Sequence, residues 1–296
     1  MGNLAEKMAE FVSLLVRHTP REGINWTGIP DVGAFRQTRR DDECTAVYEP
    51  ALLIVGQGQK RCYVDGKAYD YRAGRYLCLF LPMPVEVEVV EATPEEPLLM
   101  AGIRMDLPRI ANMLLKMDRV KPPPAKAEAV SSSAIIAEPL TEQLLDAIIR
   151  LLRTLDNPVE SAVLSDAILD EIYFRLLAHD RTGSLRRLLA HRGQVQQISK
   201  AVEHIHQNLH EVVSVDELAD IASMSASGFR KMFKEVMHLP PLQYAKALKL
   251  DRARTLLKEG KNASEAGYLV GYNSPAQFSR EYKRQFGVSP SATLAV

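Results

Sequence analysis

The sequence predicts an α+β multidomain protein: an N-terminal antiparallel β-barrel, then a helical hairpin, then an all-α C-terminal region with two helix-turn-helix units. Three observations carry this fold class. Hydrophobic residues alternate with a period of two over residues 30–105, they change to a helical period after residue 140, and two similarly capped helix pairs occupy the last hundred residues. A length of 296 residues is enough for about two domains.

The composition is that of an ordinary globular protein, with 37 Lys and Arg, 37 Asp and Glu, and 46% hydrophobic residues. Three cysteines form an odd and sparse set, which suits a reducing compartment better than a disulfide framework. Charged residues interrupt the stretch 4–16, so it lacks the apolar centre of a signal peptide, and no run approaches the ~18 apolar residues of a membrane span. We therefore expect a cytoplasmic protein with no membrane partner.

Charge is distributed unevenly along the chain. From Ala222 onward there are 12 Lys and Arg against 5 Asp and Glu, whereas the preceding residues hold 25 against 32. A basic segment on an acidic body favours a polyanion partner, because positive charge releases the counterions condensed on phosphates. Charge alone equally allows solvated helix faces whose signs happen to segregate.

The β region is predicted from short apolar runs and turn signals. Residues 51–55 end in Gly56-Gln57-Gly58, Asp65-Gly66 is a two-residue hairpin signal, and residues 85–89 alternate valine with glutamate. The predicted strands are 51–55, 60–64, 67–71, 76–80, 85–89 and 98–105. Short strands at this spacing indicate a small antiparallel barrel or sandwich.

The middle of the chain is predicted to be a linker and a helical hairpin. Residues 120–137 contain Pro122-Pro123-Pro124, alanines and three consecutive serines, a composition typical of a linker. Residues 144–155 then form a wide apolar stripe, and apolar residues recur every fourth position over 164–176. The two helices could simply pack on each other, but the width of the stripe favours self-association, so we predict a homodimer.

The first helix-turn-helix unit begins at a capping box formed by Ser214 and Glu217. After a short turn, Ser225 can cap a second helix whose Phe229 and Phe233 face inward. The outward positions of this second helix are polar and basic: Ser227, Arg230, Lys231 and Lys234. Such a surface is typical of a recognition helix that enters the major groove of DNA.

The second unit repeats the pattern about fifty residues later. Asn262 and Glu265 have the same cap spacing, Ser274-Pro275 starts the second helix, and Gly287 ends it. The outward residues are Gln277, Arg280, Lys283 and Arg284.

A single helix over residues 241–258 is predicted to join the two units. Its length is roughly 27 Å at 1.5 Å per residue, close to the roughly 34 Å of one turn of B-DNA. Two similarly capped units on a basic helical linker favour DNA binding in successive major-groove segments over a plain α-helical bundle.

These residues carry a resemblance to a known family. Residues 270–290, VGYNSPAQFSREYKRQFGVSP, closely resemble the signature of the AraC/XylS family of transcription regulators. Tyr48-Glu49-Pro50 and Gln57-Gly58-Gln59-Lys60 are similar to the cupin-like sensory domain of one AraC-type subgroup. The resemblance implies sequence-specific binding to double-stranded DNA, RNA polymerase as a partner, and a small organic effector in a cupin-like barrel. The domains would be a sensor at 1–119, a linker at 120–140, a helical dimerisation region at 141–194 and a DNA-binding domain at 195–296.

The resemblance also implies roles for individual residues. The base-reading positions would be Ser227, Arg230, Lys231, Ala276, Gln277 and Arg280, where arginine or lysine can donate to guanine O6 and N7. The phosphate contacts would be Ser225, Lys234, Ser274, Ser279 and Lys283. One departure is Gly267, which stands where alanine is usual and predicts a looser first helix in the second unit, because glycine costs roughly 1 kcal/mol in a helix. The sequence does not indicate which residues bind the effector, or whether transcription is activated or repressed.

No cofactor, metal site or catalytic residue is assigned from the sequence. None of the seven histidines lies within residues 30–105, so the three-histidine metal site of cupin enzymes cannot be built there. Glu86, Glu88 and Glu91 could bind a hard cation but are more typical of a solvated face. His204, His206 and His210 lie on one predicted helix without further ligands at zinc spacing.

Two other function classes stay open. A thiol-based regulator of oxidants or electrophiles would use Cys44, Cys62 or Cys78, although cysteines within apolar strands are more often buried and inert. A metal-free cupin enzyme fused to a DNA-binding domain would show turnover in the barrel.

Overall fold

The computed structural model describes residues 2–64, 67–120, 135–179 and 192–295. Within these residues it has the predicted α+β architecture, with a β domain at the N-terminus and helices at the C-terminus. None of the described helices is long and apolar enough to cross a membrane.

Two antiparallel sheets face each other and form the barrel. The described strands are β1 (Gly23–Trp26), β2 (Val32–Gln37), β3 (Asp41–Tyr48), β4 (Ala51–Gln57), β5 (Gln59–Val64), β6 (Lys67–Arg72), β7 (Arg75–Leu79), β8 (Met83–Glu91), β9 (Leu98–Arg104) and β10 (Ile135–Pro139). One sheet has the order β1-β2-β9-β4-β7-β10 and the other the order β3-β8-β5-β6. All six strands predicted from the sequence are present, within one to two residues at their ends.

The alternation of valine and glutamate in β8 places the two residue types on opposite faces of the strand, as predicted. Val85, Val87 and Val89 are buried, whereas Glu86 and Glu88 point away from the core. Glu88 accepts hydrogen bonds from Arg61 and Tyr63 at 3.3 and 3.2 Å. The period of two therefore separates the barrel core from a polar outer face.

The predicted linker at 120–140 needs a correction at its C-terminal end. Residues 135–139 form β10, which pairs with β7 so that Ile135 lies opposite Leu79. The proline, alanine and serine content of the preceding residues hid this strand, because only two apolar residues, Ile135 and Ile136, signal it. Residues 121–134 of the predicted linker lie outside the described part of the chain.

The helical hairpin is present and lies against the barrel. Helix α1 (Gly2–His18) precedes the strands, α2 (Leu107–Val120) follows β9, and α3 (Glu142–Thr154) packs on α4 (Pro158–His179). The apolar stripe of α3 is buried against α1 and α4, in one cluster with Phe11 and Leu15. The stripe is thus covered within one chain, which removes the reason for which the sequence favoured self-association.

The C-terminal region contains the two predicted helix-turn-helix units. Its helices are α5 (Arg192–Gln207), α6 (Val215–Ile221), α7 (Ala226–Met237), α8 (Pro241–Lys258), α9 (Ala263–Leu269) and α10 (Pro275–Phe286), followed by a 3-10 helix (Pro290–Ala295). The capping boxes at Ser214 and Asn262 form as predicted. Gly287 adopts a left-handed conformation and ends α10.

The first unit is packed against the barrel through α8. The Tyr244 hydroxyl donates a hydrogen bond to the carbonyl oxygen of Pro82, at 2.8 Å, in the connection between β7 and β8. Helix α8 also contacts β3 and β8. The buried apolar residues of α5, α6, α7 and the N-terminal half of α8 belong to one cluster with a large part of the barrel core, including Leu81 and Val85. The barrel and the first unit thus share a continuous apolar core.

Candidate functional site

The recognition surface of the first unit lies on α7. Phe229 and Phe233 are fully buried, with ring centroids 5.4 Å apart, and they fix which face of the helix is turned outward. The Ser225 hydroxyl accepts a hydrogen bond from the Gly228 amide at 3.2 Å and so caps the helix. The exposed positions include every residue predicted for DNA contact in this unit: Ser225, Ser227, Arg230, Lys231 and Lys234.

The corresponding surface of the second unit lies on α10. Phe278 and Tyr282 are buried, while the Ser274 hydroxyl accepts from the Gln277 amide at 3.3 Å. Of the residues predicted for DNA contact, Ala276, Gln277, Arg280 and Lys283 are exposed, and Ser274 and Ser279 are half-buried. Both units therefore present the predicted residues on one outward face, and the contacts of each with DNA stay a prediction.

Two glycines permit close packing in the second unit. Gly271 has a φ of 85°, and a Cβ there would lie 2.2 Å from the carbonyl oxygen of His210. A Cβ on Gly267 would lie 2.9 Å from the Phe278 ring. The glycine at 267, which the sequence interpreted as a loosening of α9, allows the recognition helix to approach α9 closely.

Glu281 joins α10 to the linker helix α8. Its carboxylate accepts hydrogen bonds from Tyr272 at 2.8 Å and Gln277 at 3.3 Å, and it pairs with Lys246 of α8 at 3.3 Å. Burial acts to raise the pKa of Glu281, but these three partners outweigh burial and the pKa is lowered. The orientation of α10 relative to α8 is thus held by a charged hydrogen-bond network.

An open cavity of about 460 Å³ lies between the two sheets of the barrel. This volume falls within the range typical of small-molecule sites, about 300 to 1,000 Å³. The lining is mainly apolar and aromatic and includes Trp26, Phe35, Tyr48, Leu53 and Met100. The cavity can therefore accommodate an organic molecule.

One charged side chain is buried in this cavity. Lys60 of β5 is 8% exposed, and its Nζ lies 5.2 Å from the Phe35 ring centroid and 5.4 Å from that of Tyr48. Within the described residues no carboxylate lies close enough to form an ion pair with Lys60. Lys60 is not among the functional residues predicted from the sequence. The inward alternation of Lys60, Cys62 and Val64 in β5 is the signal that would have found it.

Comparison with known proteins agrees with this architecture. Residues 28–184 match the model of the AraC-type transcriptional regulator N-terminus, and residues 218–295 match that of a helix-turn-helix domain. The chain belongs to the AraC-type transcriptional regulators. The first match covers more than half of the chain, and the second runs from within α6 through α10, so the resemblance noted in the sequence is confirmed.

Individual relatives match different shares of this AraC-type chain. The probable transcriptional regulator LumQ of Photobacterium leiognathi is 36% identical over 89 residues, which are 30% of this chain and 36% of LumQ. The lactose operon transcription activator of Staphylococcus xylosus is 23% identical over 267 residues, 89% of this chain and 87% of that protein. The chain thus matches about a third of the length of the first of these relatives.

A solved structure has the same fold. ToxT from Vibrio cholerae superposes with a TM-score of 0.56 and 11% identity, covering 89% of this chain and 94% of ToxT. At this identity the similarity establishes the arrangement of the barrel and helices.

Two of the three cysteines are unreactive in this regulator. Cys62 and Cys78 are free and buried. Burial raises the pKa of Cys62 to about 12 and that of Cys78 further, which keeps both as thiols at neutral pH. The side chain of Cys44 lies outside the described residues, so the thiol hypothesis at that position stays open.

The histidines near the first unit have separate partners. His204 lies 3.3 Å from Glu217, His206 lies 3.0 Å from the Tyr244 hydroxyl, and His210 lies 3.6 Å from Glu211. Among the described residues no three histidine, cysteine or acidic side chains are grouped as metal ligands. His206 instead extends the hydrogen-bond chain from Tyr244 to the barrel.

Proposed function

We propose that this AraC-type regulator binds double-stranded DNA through both helix-turn-helix units and reads successive major-groove segments. The observation that carries the proposal is that α7 and α10 each expose the residues expected to read bases. These residues are Ser227, Arg230 and Lys231 in the first unit and Ala276, Gln277 and Arg280 in the second. Arg230 and Arg280 are the strongest candidates, because a guanidinium donates two parallel hydrogen bonds to guanine.

Phosphate contacts would set the register of the protein on the duplex. Ser225 and Ser274 lie at helix N-termini, where backbone amides and the helix dipole favour an anion. Lys234, Ser279 and Lys283 would complete the set. These contacts give affinity and salt dependence but no sequence preference.

The experiment that tests this function is a selection of genomic DNA fragments by the full-length protein across a salt series. We expect a few fragments to be bound far more tightly than bulk DNA, with affinity that falls steeply as salt rises. Equal binding of all fragments at every salt concentration would contradict sequence-specific recognition.

Control by a small organic effector is the second part of the proposal. Strand β3 contributes Val47 and Tyr48 to the cavity and also contacts α8 and α10. A ligand that shifts β3 would therefore change how the two units are held. The ToxT structure contains an unsaturated fatty acid, which supports an organic ligand for this fold. Unchanged DNA affinity and footprint with every cavity-binding ligand would contradict this control.

We propose that the chain forms a homodimer. Its interface would be the exposed face of α4 and not the apolar stripe of α3. Helix α4 has large apolar side chains that stay partly or largely exposed: Val159, Val163, Leu164 and Phe174. A second copy of the chain fits this face, because identical α4 helices can pair about a two-fold axis. Val163→Glu should shift the mass measured by light scattering from dimer to monomer. The same change at exposed Val212 should not, and a wild-type monomer would contradict the proposal.

RNA polymerase is the partner that the family implies for transcriptional control. In vitro transcription from a selected fragment tests it, since a DNA-binding protein with no effect on transcript yield would contradict this role.

A further inference from the structure

The buried ammonium of Lys60 has no counter-charge within the described residues. It is enclosed by the Phe35 and Tyr48 rings, which attract a cation through their faces. Such contacts replace only part of the hydration lost by a buried charge, and buried charges are ordinarily paired. Lys60, which is 8% exposed as a residue and lies at the wall of an open cavity, therefore provides a binding position for an anion.

The other charged groups among the described lining residues lie at the edge of the cavity. Asp31 is more than half exposed and pairs with Arg104 at 3.3 Å, and Asp41 and Glu49 are exposed. Exposed charges are screened by solvent and salt, whereas an interior charge is screened much less. Among the described side chains that line the cavity, Lys60 is thus the charge least screened by solvent, although the rim is acidic.

The rest of the lining accommodates an uncharged, apolar body. Leu53, Val87, Val89 and Met100 supply aliphatic surface, and Trp26 supplies an aromatic face near the outside. A ligand with one anionic end and an apolar remainder would match both parts. Inorganic anions lack the apolar part, and sugars lack the charge.

We propose that the cavity binds organic carboxylates with an apolar body, the carboxylate pairing with Lys60 between Phe35 and Tyr48. This inference rests on the proposed function, since it names the chemical class of its effector. Lys60 acts here as the specificity-determining residue, because it distinguishes a carboxylate from a neutral isostere of the same shape.

The test is a titration of the full-length protein with matched acid and amide pairs. The probes are octanoate against octanamide and 4-phenylbutyrate against 4-phenylbutyramide. Trp26 is the single tryptophan of the chain and lines the cavity, so its fluorescence reports binding there, with calorimetry as a second readout. We expect the carboxylates to bind at least about tenfold more tightly than the amides.

Substitutions at Lys60 separate charge from shape. Lys60→Met should abolish the preference for carboxylates, and Lys60→Arg should retain it. Lys67→Met is the matched control, because Lys67 is exposed on the neighbouring strand β6, and it should bind like the wild type. Removal of an unpaired buried charge should also leave the thermal midpoint of Lys60→Met at or above that of the wild type.

Several outcomes would overturn the inference. These are equal binding of acids and amides, a carboxylate preference that survives in Lys60→Met, or no binding of either acid at millimolar concentration. If Lys60→Met does not fold, the proposal is still tested by the affinities of the wild type and of Lys60→Arg for the acids and the amides. If the wild type shows no carboxylate preference but binds DNA in a sequence-specific way, the ligand proposal is wrong and the proposed DNA-binding function stands. If the protein binds all DNA sequences equally, the DNA-binding function is wrong, and the ligand proposal is not affected.

Discussion

The two helix-turn-helix units are alike in sequence pattern and different in what supports them. Each begins with a capping box, and each turns a polar face outward from α7 or α10. The first unit shares its apolar core with the barrel, and Tyr244 joins it to Pro82. The second has a smaller core of its own, which includes Leu257, Phe278 and Tyr282.

This difference indicates that the two units of one DNA-binding domain respond differently to a change in the barrel. A change inside the barrel reaches the first unit through continuous packing, whereas it reaches the second through α8, β3 and the Lys246–Glu281 pair. We therefore expect the first unit to respond with the barrel and the second to fold as a more independent element.

The largest effect is expected when one buried phenylalanine ring is removed from each unit. Phe233→Ala and Phe278→Ala should each cost about 3–5 kcal/mol of local stability, because a buried phenylalanine leaves a cavity. Phe233→Ala should lower the unfolding midpoint monitored by Trp26 in the barrel. Phe278→Ala should leave that midpoint near the wild type and give a separate, earlier loss of helix by circular dichroism. Equal shifts of the Trp26 midpoint would contradict the contrast.

The next effect concerns DNA readout, where the two units should act alike. Arg230→Ala and Arg280→Ala should each cost about 1–3 kcal/mol of specific binding and relax the preference at one or two base pairs. Lys234→Ala and Lys283→Ala serve as comparisons that should weaken all sequences evenly. Binding of randomised sites by each variant measures both, and uniform weakening by an arginine variant would reassign that residue to phosphate.

A smaller effect on stability is expected when one buried tyrosine hydroxyl is removed from each unit. Tyr244→Phe removes the hydrogen bond to Pro82, and Tyr282→Phe removes the one to Thr293, which is 3.0 Å long. Each should cost about 0.5–1.5 kcal/mol. Denaturant titration should place the loss for Tyr244→Phe in the Trp26 transition of the barrel. If Tyr282→Phe moves that transition as much, the second unit is not independent.

The smallest expected effect is a pH dependence of the first unit. Burial lowers the pKa of His206 below 6.5, although the charge of Glu49 acts in the opposite direction. The unfolded chain then binds more protons than the folded one, so this contribution to stability is complete above pH 6.5 and is lost as the pH falls. His206→Gln should reduce the acid-side slope of stability against pH, and an unchanged slope would contradict the assignment. The second unit has no histidine, since the last in the chain is His238.

The features that the sequence predicted well are those determined by neighbours in the chain. The caps at Ser214, Asn262 and Ser274 involve residues three positions apart, so their spacing reports them directly. The exposed residues of α7 and α10 follow from the helical period in the same way. Both recognition faces could therefore be assigned without a structure.

The features that the sequence missed depend on contacts between distant residues. Strand β10 pairs with β7 across more than fifty positions, and two isoleucines are too short a signal for it. The covering of α3 by α1 was missed for the same reason, and it changed the argument for a dimer. Lys60 could not be assigned as a candidate ligand-binding residue from the sequence, because the Phe35 and Tyr48 rings that enclose it lie on other strands.

The central claim is that two units on one chain read neighbouring segments of the same duplex. Hydroxyl-radical footprinting of the full-length protein on a selected fragment tests it most directly, with Phe278→Ala as the partner experiment. We expect two protected segments about one helical turn, roughly 10 base pairs, apart on one face of the DNA. Phe278→Ala should remove one segment and leave the other. A single protected segment in the wild type, or the loss of both segments in the variant at saturating protein, would contradict the claim.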